Sequence, residues 1–308
     1  MKFNRYALSD LATIKYGKNQ KKVLSESGNI PIYGTGGLMG FATTALYDKP
    51  SVLIGRKGTI GKVKYVEHPF WTVDTLFYTI VNTDIVLPKY LYYVMSLIDL
   101  NNYNEGTTIP SLRTETLNRL EFDIPSLEEQ ETILSCLNPI DEKIALNNAI
   151  NNNLEQQAQA IFKSWFVDFE PFGGVIPNEW KQTKLGDSCN CILGGTPSRN
   201  KSEYWNGSIP WINSGEVNKF RIIKPSETIT NLGLEKSATK LLPAKTTVLA
   251  ITGATLGQVS LLEIDACANQ SVVGIIPNDN LPYEYIYPYL FFGSQTIEPG
   301  EHKLETSI

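Results

Sequence analysis

SLEEQETILSCLNPIDEKIALNNAINNNLEQQAQAIFKSWFVDFE, residues 126–170, decides how this chain is read. Ser126 and Glu129 stand in capping-box spacing just after Pro125, so a helix starts here. Apolar positions then recur at Ile133, Leu137, Ile140, Ile144, Leu154, Ala158, Ile161 and Trp165, with Asn147 and Asn151 filling the two places between. Alternating steps of four and three make this a heptad seam. Pro139 removes one backbone donor, and Asn138 can cap a new helix that has Pro139 in its first position. The spacing therefore predicts two collinear segments, 127–137 and 139–168, the second about 45 Å long at 1.5 Å per residue. A heptad seam calls for a partner helix, and no second one is legible in this chain. The alternative is that the stripe packs on the chain's own domains. Trp165 and Phe166 read as core anchors at the helix end.

Outward from the helix, the two flanks resemble each other. Each begins with a Leu-x-Asp segment ending in glycine, Leu8 to Gly17 and Leu185 to Gly194. Gly-x-Ile-Pro follows at Gly28 to Pro31 and Gly207 to Pro210. SVLIGRKGTIGKV at 51–63 is answered by TVLAITGATLGQV at 247–259, and LPKYLYYVMSL at 87–97 by LPYEYIYPYLF at 281–291. The offset grows from 179 residues at the Ile-Pro pair to 196 at the strand, which places an insertion near 218–240 of the second copy. Two related modules on a stiff spacer suit one molecule that touches two related places.

The chain has 308 residues, enough for about two domains, each with its own core. Its opening residues lack the apolar core of a signal peptide, and no apolar run approaches the roughly 20 residues of a membrane span. The four cysteines lack paired C-x-x-C spacing, and there are two histidines. A cytoplasmic chain with free thiols and no metal is expected. Net charge is −5, yet residues 1–125 carry 14 Lys and Arg against 11 Asp and Glu, and residues 171–278 carry 10 against 8. The acid lies on the spacer, with 2 against 8, and on the tail 279–308, with 1 against 5. Phosphate binding follows local cations rather than whole-chain charge, so the modules keep a weak capacity for nucleic acid.

Candidate DNA contacts follow from residue chemistry. Arg56 and Lys57 stand at the tip of a glycine-bounded turn, where they can meet phosphate or a guanine edge. Lys18, Lys21 and Lys22, around Asn19 and Gln20, occupy the place in the first half that Arg199, Asn200 and Lys201 occupy in the second. Each run mixes cations with amides able to read adenine. Thr35, after the first Ile-Pro, and Asn213 with Ser214, after the second, lie where backbone can approach DNA closely, and Arg113 is a phosphate candidate. The competing reading of every one of these runs is a solvated turn. Gly55 to Val63 fails the phosphate-loop pattern at Arg56 and at Val63, so no nucleotide site is implied. The Tyr-rich stretches read as helix faces packed on a core. No methyltransferase, nuclease or helicase motif is present, so no covalent chemistry is expected of this chain.

The stretch 127–172 resembles the central conserved region of specificity subunits of type I restriction-modification systems, and the flanks resemble their target recognition domains. The resemblance implies a non-catalytic subunit with double-stranded DNA, methyltransferase subunits and restriction subunits as partners. S-adenosylmethionine, ATP and Mg are implied to sit in those partners, with no cofactor in this chain. It implies an α+β fold: a first recognition domain at 1–125, a helical spacer at 126–170 and a second recognition domain at 171–308. The second module lacks a counterpart to LNRLEFDIP and to a second long helix, so the chain resembles a full subunit cut at about three quarters of its length. Self-association through the spacer helix is a further expectation. The alternative function is a truncated interaction adaptor, or a silent recombination cassette that reads no DNA.

Overall fold

The structure, a computed structural model, describes residues 2–181 and 183–296. Its contacts divide into two compact units, Met1–Asn148 and Ala149–Ile308.

In the first unit, strand β1 (Asn4–Ala7) leads into a one-turn helix α1 (Leu8–Leu11) and strand β2 (Ala12–Tyr16). Strands β3 (Ile30–Gly34), β4 (Gly37–Ala42), β5 (Ser51–Gly55), β6 (Val63–Val66), β7 (Trp71–Thr72) and β8 (Leu76–Val81) follow. Then come helices α2 (Pro88–Ser96) and α3 (Thr114–Asn118) and strand β9 (Glu121–Ile124). The order β2-β8-β5-β6 makes one sheet, β4-β3-β7 a second, and β1-β9 a two-stranded third. Period-2 alternation puts Phe77 and Val52 into a core shared with Leu8, Leu11, Leu91 and Met95, so α1 and α2 cover that sheet.

Helix α4 runs unbroken over Leu127–Phe166, with Pro139 inside it. This corrects the expected division at Asn138. Proline removes one donor from the ladder but tolerates helical φ, and the turn before it stays helical. The capping box forms as expected: Glu129 N donates to Ser126 Oγ at 3.4 Å and Ser126 N donates to Glu129 Oε2 at 3.1 Å. Gln130 is buried beneath this first turn. Its Oε1 accepts from Leu87 N at 2.8 Å, and its Nε2 donates to the carbonyls of Ile85 (2.9 Å) and Pro125 (3.0 Å). Leu134 joins the core beside it, and Asp141 accepts from Tyr93 and pairs with Lys89 at 3.0 Å.

The second unit holds α5 (Leu185–Ser188), β10 (Asn190–Leu193), β11 (Trp205–Ile212), β12 (Arg221–Ile222), β13 (Glu227–Ile229) and α6 (Asn231–Glu235). After these stand β14 (Leu241–Leu242), β15 (Thr247–Ala250), β16 (Val259–Leu262), β17 (Ala266–Ala268), β18 (Val272–Ile276) and α7 (Tyr283–Thr296). The order β10-β18-β15-β16-β12 repeats the first unit's four-stranded sheet with β12 added at the edge. Likewise β13-β11-β17-β14 repeats β4-β3-β7 with β14 added. The extra residues of the second copy therefore fall on both sides of β13. Phe162 buries against Tyr285, Tyr289 and Phe292 of α7, while Trp165 stays 47% exposed. Phe162 anchors this end of α4 together with the expected Phe166, whose ring centre lies 5.0 Å from that of Tyr285, and Trp165 does not. The expected loss of a closing strand and second helix concerns chain past residue 296, which lies outside the described residues.

Candidate nucleic-acid interface

One short segment organises the candidate residues of the first module. Residues 72–76 leave β7, turn and enter β8, and their carbonyls receive two separate loops. Gly17 N donates to Leu76 O at 3.0 Å and Lys18 N to Thr72 O at 2.8 Å; Arg56 N donates to Thr75 O at 2.8 Å. Val73 N returns a bond to Tyr33 O at 3.0 Å, which ties in the hairpin that carries Thr35. The second module repeats this wiring. Gly194 N donates to Val272 O at 3.0 Å, Gly195 N to Ala268 O at 2.7 Å, and Ile251 N to Ser271 O at 2.9 Å. Asn269 N donates to Ile212 O at 3.0 Å, before the turn of Asn213 and Ser214. The glycines are dictated by this approach. A Cβ on Gly17 would strike the carbonyl of Val73, and one on Gly194 the carbonyls of Asn269 and Ala268.

The segment thus brings together Lys18, Thr35, Arg56 and Lys57. The loop 106–112 joins them, because Gly58 N donates to Pro110 O and Leu112 N to Arg56 O, both at 2.9 Å. Lys18, Lys21, Lys22 and Lys57 are exposed. Arg56 donates from Nη1 to Asp74 O at 2.9 Å and lies 5.0 Å from the Tyr16 ring centre. Guanidinium has five N–H donors, so this holds its plane and leaves donors free for a ligand. Arg113, at the start of α3, pairs with Glu105 at 3.1 Å.

In the second module the structure changes the reading of Arg199. Its two terminal nitrogens bond the two Glu227 oxygens at 2.8 Å each, and its guanidinium stacks 3.7 Å from the Trp205 ring centre. Glu227 raises the arginine's pKa and is itself held below the usual carboxylate range, chiefly by that bond. A neutralised, stacked arginine ties β13 to the loop and has little charge left to offer a phosphate. Lys201 remains exposed, with Nζ 3.1 Å from the Tyr204 hydroxyl. The Asn213 side chain accepts from Gly215 N at 2.8 Å, and buried Glu216 accepts from Ser226 N and Oγ at 3.1 Å each. Sequence reasoning missed Glu216 and Glu227, because the groups they hold lie ten and 28 residues away.

Among the described residues the seam of α4 stays open. Ile140, Ile144, Leu154 and Ile161 are 55–60% exposed, and Asn147, Asn151 and Ala158 are exposed as well. Ile133 packs on the first module's core and Leu137 is half-buried. The reading in which the stripe packs on the chain's own domains therefore fails for its middle. Among the described residues no helix is long and apolar enough to cross a membrane, and no group of three or more His, Cys, Asp or Glu could hold a metal.

A twice-built, glycine-permitted loop platform on both sides of one long helix can be compared with known families. Residues 2–156 and 177–300 match the family described as Type I restriction modification DNA specificity domain. The chain belongs to this family. It is 26% identical to the Type I restriction enzyme HindI specificity subunit of Haemophilus influenzae, over 74% of this chain and 66% of that one. It is 29% identical to the MjaIX specificity subunit of Methanocaldococcus jannaschii, over 68% of this chain and 52% of that one. The chain thus spans between half and two thirds of the length of these curated relatives. The fold is that of the crystal structure of the type I restriction-modification S subunit from M. genitalium, with a TM-score of 0.60 at 17% identity, over 94% of this chain and 76% of that one. The mixed helix-and-sheet expectation, with a long helix between two sheet-rich domains, agrees with this relative.

Proposed function

We propose that this chain reads double-stranded DNA sequence for a type I restriction-modification complex and performs no covalent step itself. The repeated loop platform carries this reading, since two matched sets of loops suit two matched parts of one target. In the first module Lys18, Lys21, Lys22 and Lys57 supply phosphate contacts, and Arg56, already planar and oriented, reads a base edge. In the second module Lys201 takes the phosphate role and Asn213 with Ser214 the close backbone approach, while Arg199 serves the fold. Methyltransferase and restriction subunits are the protein partners, and they hold the S-adenosylmethionine, ATP and Mg. The weak local charge of each module leaves these partners to supply much of the electrostatic affinity. The open α4 seam is the surface for a partner helix, and a second copy of this chain is one source of it.

The test is co-expression with the cognate methyltransferase in a host free of DNA methylation, with modified adenines mapped by long-read sequencing. An asymmetric bipartite motif is the expected result. A palindromic motif would assign reading to one module acting as a dimer. Absence of any motif would overturn the proposal in favour of an adaptor.

A further inference from the structure

The two modules differ at one point of their wiring, and the difference is informative. In the first, Trp71 Nε1 donates to the carbonyl of Lys18 at 2.8 Å. In the second, Trp211 Nε1 donates to the carbonyl of Gly195 at 3.1 Å. Lys18 and Gly195 are equivalent, because each follows the close-packed glycine and each N–H bonds the same carbonyl of the organising segment. The two tryptophans are not equivalent. Trp71 lies on β7, opposite Ile32 of β3, whereas Trp211 lies on β11, opposite Cys267 of β17. The indole has changed sides of the parallel bridge and still reaches the same carbonyl. Packing alone asks only for one indole and one smaller side chain across that bridge. It does not ask that the ring nitrogen end at one particular backbone oxygen.

That oxygen opens the loops bearing Lys18, Lys21 and Lys22 in one module and Lys201 in the other. With both backbone polar groups of its first residue bonded, each loop leaves the sheet in a fixed direction. The second loop is held further, by Trp205 Nε1 to Ser198 O at 3.2 Å and by Arg199 on Glu227. A rigid loop with exposed cations is pre-organised for its ligand, which lowers the ordering cost of binding. We infer that Trp71 and Trp211 are positioning residues for target reading, each holding the loop that serves one half of the target. This rests on the DNA-reading function proposed above.

Trp71→Phe and Trp211→Phe keep a ring and remove the donor. In the complex with methyltransferase, Trp71→Phe should lower discrimination in one half of the methylated motif at least tenfold and leave the other half intact; Trp211→Phe should do the reverse. Ile32→Val, which disturbs packing across the same bridge and spares the bond, should lower the melting temperature without altering the motif. Hydrogen exchange should quicken at least tenfold at 18–22 in Trp71→Phe and at 195–201 in Trp211→Phe, each in its own loop only. Unchanged half-sites and unchanged exchange would overturn the inference. So would equal erosion of both halves by either variant in step with lost melting temperature, which marks a merely structural role. A wild-type complex with no motif sinks the DNA reading itself; in that case quickened exchange shows only that the indoles hold the loops.

Discussion

Gln130 offers a sharp test of how the spacer is fixed to the first module. It is fully buried and serves three backbone groups, the N–H of Leu87 and the carbonyls of Ile85 and Pro125. Gln130→Ala strips partners from all three in one step. An unsatisfied buried group costs about 1–3 kcal/mol, and water entering the vacated space keeps each near the lower end. The expected loss is about 3 kcal/mol. At roughly 2–4 °C per kcal/mol for a domain of this size, the first unit should melt about 6–12 °C lower.

Gln130→Glu sharpens the test, because the replacement has nearly the same shape. A protonated Glu accepts from Leu87 N and donates to one carbonyl. An ionised Glu has no donor and faces two carbonyl oxygens in a buried place. Burial and those oxygens raise the carboxyl's folded pKa above its unfolded value of about 4.3. A raised acid is at its best below the unfolded pKa and loses stability as pH rises towards the folded one. Calorimetry should find Gln130→Glu about 1 kcal/mol below wild type at about pH 4, the cost of the one carbonyl left without a donor, and further below it at neutral pH. An equal deficit at both pH values would refute the hydrogen-bond account of Gln130.

Other contacts give further expected outcomes. Gly17→Ala forces a Cβ against the Val73 carbonyl and should cost roughly 1–3 kcal/mol, read as a lower urea midpoint. Burial, with help from Asp141, pushes the Tyr93 phenol above its ordinary pKa, so Asp141→Asn should let it ionise at lower pH in a phenolate absorbance titration. The bond from Tyr93, with Lys89 beside it, holds Asp141 below the usual range, so its contribution is present above about pH 3.9 and lost as pH falls. Ile144→Asp with Leu154→Asp should abolish the self-association proposed for the α4 seam, read by light scattering, without lowering the melting temperature, since both side chains are exposed in the single chain. Lys57→Ala should weaken DNA binding of the methyltransferase complex across all sequences and reduce its salt slope by about one.

The duplication was legible because its markers are forced by backbone contacts. Gly17 and Gly194 meet carbonyls too closely for a Cβ, and Gly28 and Gly207 press on the backbone at Ala42 and Ile229, so no other residue serves. The spacer's existence was equally plain from its seven-residue period. What escaped was non-local. Pro139 looks like a break on its own, yet the helix is anchored on both sides of it, by Gln130 and Leu134 before and by Asp141 and Phe162 after. Arg199 looks like a phosphate ligand until Glu227, 28 residues on, takes its charge. The exchange of indoles across the β3–β7 and β11–β17 bridges could not be seen in a linear alignment, because the equivalent residues there are Trp with Cys and Ile with Trp.

The middle of the spacer is the part of α4 least covered by the rest of the chain. Every residue from 142 to 158 is exposed, and five asparagines, at 147, 148, 151, 152 and 153, lie among them. Asparagine is a poor helix former, and an isolated helix draws little stability from propensity alone. The ends of α4 are fixed by side chains that enter the two cores, whereas residues 142 to 158 stay exposed. Its apolar residues are also more numerous than one partner helix requires, since Leu146 (60% exposed) and Ile150 (46%) lie beside the seam column rather than on it. Two helices that meet knobs-into-holes use only two columns, whereas this sector is wider. A sector of that width suits a partner helix on one side and a globular subunit on the other. Both belong to the proposed assembly, the one as a second helix along the seam and the other as a methyltransferase.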